Sequence, residues 1–239
     1  MNFYDNFHKG IRIQKKIISE NNFTYRHTID ILTPLIFGNK KTVLDYGCGV
    51  GTIDFYLASK GCNVHGVEIS KKAIEICRTS AETIGVSNLT KFYGLNKKIN
   101  KKFDIIICSE VIEHVSNDMG LLKRLSKNLK KGGNLIVTTP SINSPLFKLG
   151  IAKSFDKRVG HLRRYDPIDL TSQIQSIGFR INSVNKKEGL LRNSLFMFPF
   201  FGWVIKFLKG PFSDIVTFID DLFVTIFGES DIIIVAQKI

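Results

Sequence analysis

Short apolar runs and amphipathic runs alternate along this chain. The run before Gly47 and the segments 103–108 and 134–138 are largely apolar, 63–68 is a short run ending in an acid, and 90–93 is a short run before Gly94; all five predict strands. Between them, 52–60, 70–83 and 117–129 carry apolar residues at helical spacing, the first closed by Gly61 and the last by Gly132 and Gly133. Segment 103–108, FDIIIC, is apolar throughout after Asp104 and reads as central. Strands alternating with helices require a parallel sheet with crossovers, so the fold class is α/β, doubly wound. A sixth strand near 180–185 and a last one at 231–237 complete the pattern, without repeats or low-complexity tracts.

The stretch VLDYGCGVG, 43–51, supplies the first chemistry: a strand, an acid, then Gly47, Gly49 and Gly51. Glycines there let a ligand lie against the backbone, and the following helix points free amides at it. Dinucleotide folds use G-x-G-x-x-G, whereas the spacing here is G-x-G-x-G. Asp45 would repel a pyrophosphate and attract the ammonium of an amino-acid tail, which favours S-adenosylmethionine over NAD. Glu68 ends the second strand 17 residues beyond Gly51, where a carboxylate can accept from two ribose hydroxyls. The alternative for Glu68 is a charge at the N-terminus of helix 70–83.

Segment 43–51 resembles motif I of the class I, Rossmann-like, S-adenosylmethionine-dependent methyltransferases. That resemblance implies a seven-stranded, mostly parallel sheet with an antiparallel last strand. From 109 to 115 the sequence reads SEVIEHV, which would put Glu110, Glu113 and His114 on one face of a helical turn. Two carboxylates and an imidazole suit a divalent metal, Mg²⁺ or Mn²⁺, with His161 of GHLRRY as a fourth ligand. The E-x-x-E-H pattern resembles the O-methyltransferases of ubiquinone biosynthesis and the small-RNA 2′-O-methyltransferases. The ubiquinone group matches more of the chain, from about Phe23 to Phe179, with Arg26, Gly47, Glu68 and Ser109 on its cofactor positions.

The expected cofactor set is therefore Arg26, Asp45, Gly47, Cys48, Gly49, Gly51, Glu68, Ile69, Leu95 and Ser109. After the third strand stand Gly94, Leu95 and Asn96, where relatives often carry an acid for the adenine amino group. The candidate catalytic residues are His161, His114 and Glu110. In a metal-free version either imidazole would act as general base, and the EHV segment would merely cap a helix and line the cofactor pocket. Arg163, Arg164 and Tyr165 are placed to orient an acceptor or, alternatively, to pack at the surface. No serine nucleophile elbow, P-loop or thiol nucleophile is present.

Length and charge narrow the picture further. The 239 residues suit one domain, comprising an N-terminal helical cap 1–40, a cofactor-binding core 41–185, an apolar helical insertion 190–228 and a last strand 229–239. Cys48, Cys62, Cys77 and Cys108 lack C-x-x-C spacing and imply free thiols in a reducing compartment. The start lacks an apolar leader and no window could span a bilayer, so a cytoplasmic protein is expected. A net charge of +13 attracts nucleic acid or anionic membrane, or is ordinary solvated surface.

The insertion holds LFMFPFFGWVI, then a helix over 214–227 with Ile215, Phe218, Ile219, Leu222, Phe223 and Ile226 on one face. Trp203, Lys206 and Lys209 suit a membrane interface. A lid over a lipophilic acceptor, a peripheral membrane anchor, and a homo-oligomer contact or extra core layer are its three readings. Three functions follow: methylation of a hydroxyl on a small lipophilic or glycan-lipid acceptor, RNA 2′-O-methylation, and a catalytically inactive cofactor-binding partner protein.

Overall fold

The computed structural model describes residues 10–38, 40–208 and 210–239. Residues 1–9, where a leader was sought, and Lys209 lie outside the described residues, as does the side chain of Lys206. The sheet strands are β1 (Thr42–Tyr46), β2 (Asn63–Glu68), β3 (Thr90–Gly94), β4 (Phe103–Ser109), β5 (Leu129–Pro140), β6 (Phe179–Lys187) and β7 (Asp231–Lys238). Their order is β3-β2-β1-β4-β5-β7-β6, parallel except that β7 runs antiparallel to both β5 and β6. The strand order reverses between β1 and β4, so a cleft opens at their carboxyl ends.

The helices are α1 (Arg26–Ile36), α2 (Thr52–Ser59), α3 (Lys71–Ile84), α4 (Asp118–Asn128), α5 (Pro145–Lys148), α6 (Ala152–Val159), α7 (Pro167–Ser176), α8 (Leu190–Met197), α9 (Gly202–Phe207) and α10 (Pro211–Phe227). Local chemistry sets their ends. The Ser70 hydroxyl accepts from the Ala73 amide to start α3, and Gly85 closes it at φ +85°. Asp166 caps α7 with Pro167 in the first turn.

Alternation along the strands divides the interior into two cores. Val43, Ile105 and Ile107 face α1, α2 and α3, while Leu44, Ile106 and Cys108 face α4 and α7. Each of the three isoleucines is buried and contributes about 2 kcal/mol of transfer free energy.

Two boundaries depart from the sequence reading. Helix α4 stops at Asn128, and the expected closure at Gly132 and Gly133 is instead part of a long β5. There the β4–β5 register shifts between Phe103 and Ile105, because Gly132 at φ +75° lets the chain bulge before pairing resumes at Asn134.

Candidate functional site

The cofactor end is built by β1, β2 and the loop between β1 and α2. The Gly47 and Cys48 amides donate to the Val67 carbonyl at 2.7 and 3.1 Å, stitching the loop to β2. Gly47 sits at φ +89°, and a Cβ there would lie 2.2 Å from Val111 Cγ2, so only glycine fits. Glu68 accepts from the Gly49 amide through Oε2 at 3.0 Å and from the Ser70 amide through Oε1 at 2.8 Å. It lines the cleft beside Gly47, Gly49, Ile69, Leu95 and Ser109, and each carboxylate oxygen keeps a lone pair for a hydroxyl donor.

Four expected cofactor residues do not line this cleft. Arg26 turns to α10, where its guanidinium pairs with Asp214, leaving Tyr25, His27 and Thr28 on the cleft wall. Asp45 shares the face of β1 that carries Val43, so it lies buried beneath the loop beside Asp54. Burial pushes its carboxyl up to about 7, and burial together with Asp45 raises Asp54 well above its ordinary value. Cys48 and Gly51 are buried under the same loop, where the Cys77 thiol donates to the Gly49 carbonyl at 3.3 Å. All four cysteines are free and buried.

At the end of β4 the expected helical turn is absent. Glu110 adopts φ +53°, and only Ile112–His114 forms a short 3₁₀ turn, so Glu110 leaves the face shared by Glu113 and His114. It accepts from the Thr138 hydroxyl at 2.7 Å and is not part of the metal-type cluster. The side chain is reached from the cleft, yet enclosing protein raises its carboxyl.

Glu113, His114 and His161 converge. Glu113 is 0% exposed, and its Oε2 accepts from the Thr139 hydroxyl at 3.1 Å. Its Oε1 has no hydrogen-bond partner and lies 3.7 Å from His114 Nε2 and 3.9 Å from His161 Nε2. Burial, reinforced by Glu110, holds this carboxyl well above the usual range, and burial lowers His114. The Gly160 carbonyl can only accept, so His114 donates from Nδ1 at 3.0 Å and presents Nε2 toward Glu113. His161 Nδ1 lies 3.0 Å from an Asp156 carboxylate oxygen, likewise turning Nε2 inward. An orphaned carboxylate oxygen between two imidazoles oriented through their other nitrogens suits a divalent cation. The three ligand atoms lie within 4.8 Å of one another.

The GHLRRY loop is held by ion pairs rather than presented to an acceptor. Arg164 donates twice to Asp156 at 2.8 Å, and Arg163 and the Tyr165 hydroxyl meet on Asp118. Burial alone would raise Asp156, but His161 and Arg164 overcome it and hold the carboxyl at about 2. Of the three residues only Arg164 reaches the cleft wall.

The cleft is a cavity of ≈ 640 Å³, and its far half is lined by residues the sequence reading missed. Phe155 and Val159 of α6 and Asn193, Phe196 and Met197 of α8 wall it, with Glu188 and Asp231 nearby. Glu188, at φ +56°, is pushed up to about 7 by burial despite Arg192, and burial with Glu110 and Glu188 raises Asp231 well above its ordinary value. A signal existed: Asp231 opens the last strand and Glu188 follows the sixth. It becomes readable only through the register that pairs Asp231 with both Pro140 and Lys187 at the sheet edge that carries Glu110.

A cradle of glycines, a carboxylate at the tip of β2 and a switch-point cleft define a class I methyltransferase fold. The chain belongs to the methyltransferase-domain family, whose model matches residues 21–184. It is 35% identical over 118 residues to a ubiquinone biosynthesis O-methyltransferase of Rickettsia akari, an alignment covering 47% of this chain and 45% of that relative. The match thus spans less than half of that curated relative. Among solved structures it superposes on a sarcosine dimethylglycine methyltransferase described as putative, from Galdieria sulphuraria, with TM-score 0.66 at 12% identity, covering 99% of this chain and 98% of that one. It also superposes on magnesium protoporphyrin IX methyltransferase from Synechocystis, solved with bound SAH, with TM-score 0.63 at 17% identity, covering 99% and 93%. The superpositions show that the chain has the class I methyltransferase fold.

Proposed function

We propose that this chain transfers a methyl group from S-adenosylmethionine to a hydroxyl of a small lipophilic or glycan-lipid acceptor. One observation carries the reading: a single cavity joins the glycine loop and Glu68 to an apolar half lined by Phe155, Val159, Phe196 and Met197, with His114 and His161 on its wall. The ribose would rest on Glu68, adenine between Ile69 and Leu95, and the aminocarboxypropyl tail over Gly47 toward Tyr25 and Thr28.

The acceptor oxygen bonds to the methyl carbon as the S–CH₃ bond breaks, which leaves a neutral thioether, and the hydroxyl proton must go to a base. His161 is the base, since Asp156 holds Nδ1–H and leaves Nε2 for the proton, with His114 beside it at 4.8 Å between ring centroids. Alternatively, Glu113, His114 and His161 would hold a Mg²⁺ or Mn²⁺ ion, with His161 Nε2 then a ligand instead of the base. Such an ion would lower the pKa of the hydroxyl and fix its direction. Glu110 and Asp231 offer acceptors to a second polar group of the substrate.

Radiolabelled methyl transfer into fractionated lipids, RNA and small metabolites, with and without a chelator, tests the reading. Label in lipid-soluble material supports it, whereas label confined to RNA or to water-soluble metabolites removes the lipophilic acceptor. Loss of transfer on chelation, restored by Mg²⁺ or Mn²⁺, supports the metal; transfer that resists chelation leaves proton removal to the histidines alone.

A further inference from the structure

The insertion after β6 lies outside the stretch matched by the family model, and α10 within it is built inside out. Its buried residues are Ser213, Thr217 and Asp220, whereas Phe212, Ile215, Phe218, Leu222 and Ile226 face solvent, Phe218 at 74% exposure. A helix serving only a water-soluble fold would bury the second set and expose the first. Seven large apolar side chains exposed between Phe212 and Phe227 present on the order of 600 Å² of apolar surface, at the upper end of what a monomer leaves uncovered.

We propose that the outer face of α9 and α10 is a docking surface for an anionic lipid bilayer. The occupant follows from charge. All three acids of α10 lie off the apolar stripe and are engaged: buried Asp220 with the Gly189 and Arg192 amides at 2.8 and 2.9 Å, and half-exposed Asp214 and Asp221, on the flank, with Arg26 and with Lys187 at 3.4 Å. The apolar stripe itself carries no carboxylate, and the two that flank it are paired with cations, in a chain of net charge +13. Exposed Lys153, Lys157 and Arg158 of α6 supply cations near the end of α8, where Arg158 donates to the Met197 carbonyl at 3.3 Å. Such cations attract an anionic leaflet.

The surface also continues into the cavity. Phe196 and Met197 line the cleft, and exposed Phe198, Phe200, Trp203 and Phe207 carry the apolar run outward. Trp203 and Phe207 stack edge to face at 5.9 Å, and the indole of Trp203, apolar but for its N–H, suits the head-group level. Among the described residues no helix is long and apolar enough to cross a membrane, so the helices lie in the interface. The proposal deepens the reading of a lipophilic acceptor and rests on it for the purpose of the docking.

The test is vesicle co-sedimentation of the full chain without cofactor or acceptor, so its outcome is separate from that of methyl transfer. Vesicles of phosphatidylcholine with phosphatidylglycerol are compared with phosphatidylcholine alone. Binding at least tenfold tighter to the anionic vesicles is expected. Trp203 is the chain's single tryptophan, so a blue shift of its emission would report docking at this face. The triple variant Ile215→Asn, Phe218→Ser, Leu222→Asn, with unchanged far-UV circular dichroism, is expected to lose binding at least tenfold. If that variant fails to fold, Trp203→Ser with Phe207→Ser replaces it under the same expectation for binding. Folded protein that ignores anionic vesicles, or binds them equally after these substitutions, overturns the proposal. So does a lipid-free dimer that shields Trp203, which would assign the face to a second copy.

Discussion

Helices α3 and α10 both carry a clear apolar stripe, and they are laid on the fold with opposite polarity. Helix α3 buries Ala73, Ile74, Ile76, Cys77 and Ala81 and turns Lys71, Lys72, Glu75 and Arg78 to solvent. Helix α10 buries a hydroxyl and carboxylate seam and turns its stripe away from the protein. A stripe in sequence therefore says that a helix has an apolar partner, but not that the partner is the core. The same kind of substitution should have opposite consequences on the two helices.

The largest effect is expected on α3. Ile74→Asn puts an unpaired amide among Val43, Phe55 and Val64 of the core and removes buried apolar surface, costing about 4 kcal/mol. Urea unfolding should show this as a lower midpoint at unchanged slope. Next comes the polar seam of α10. Asp220→Ala leaves the Gly189 and Arg192 amides, both at the start of α8, without their buried acceptor and weakens the field that compensates Arg192. A loss of about 3 kcal/mol is expected by the same measurement. A loss below about 0.5 kcal/mol would mean that α10 is not anchored by its polar face, and the contrast with α3 would fail.

The cleft departs from the inside–outside rule for a different reason, as Glu113 is buried with one oxygen unpartnered. Glu113→Ala should lower methyl transfer by about 100-fold, equivalent to about 2.7 kcal/mol of barrier, while cofactor affinity measured by calorimetry changes less than about threefold. Equal loss of both would make Glu113 a structural residue.

Below the glycine loop the buried polar pair is a liability. Asp45 has its carboxyl raised to about 7 from 3.8, so the folded state holds a proton that the unfolded chain releases. This contribution is fully present below pH 3.8 and is lost as pH rises through 7. Asp45→Asn removes the titration, so at pH 8 the variant should be the more stable by about 1–2 kcal/mol, and near pH 4 the two should match. Thermal melts at the two pH values check the sign, and a variant less stable at pH 8 contradicts it.

The succession of strands and the glycine turn after the first were legible because their signals are local. Gly47 takes a positive φ in its own tight turn, and Glu68 closes a strand whose end the sequence marks with an acid. The rest depended on long-range placement. Asp45 stands off the cleft wall because of the face of β1 it shares with Val43, which a single strand's sequence does not orient. Glu110 left the Glu113–His114 face because of one positive φ that no periodicity announces. Arg192 is 0% exposed between Phe23 and Phe196, where its residue type predicts a surface group. The stripe on α10 was visible at 215–226, but its outward direction follows from the buried seam of Ser213, Thr217 and Asp220, where Asp220 accepts from the distant Gly189 and Arg192 amides.

The smallest expected effect is the one that most sharpens the contrast. Phe218 is 74% exposed, so Phe218→Ser removes little buried surface and leaves the seam of Ser213, Thr217 and Asp220 untouched. Transfer free energy scales with area taken out of water, and here that area is a small remainder. The change should shift stability by less than about 0.5 kcal/mol in lipid-free buffer, against about 4 kcal/mol for Ile74→Asn. Helix propensity is the only opposing contribution, since Ser and Phe are close on that scale, within a few tenths of a kcal/mol. A loss above about 2 kcal/mol would show that Phe218 packs against protein in solution, on another copy or on a rearranged cap. In that case α10 would follow the same rule as α3, with its apolar stripe satisfied by protein.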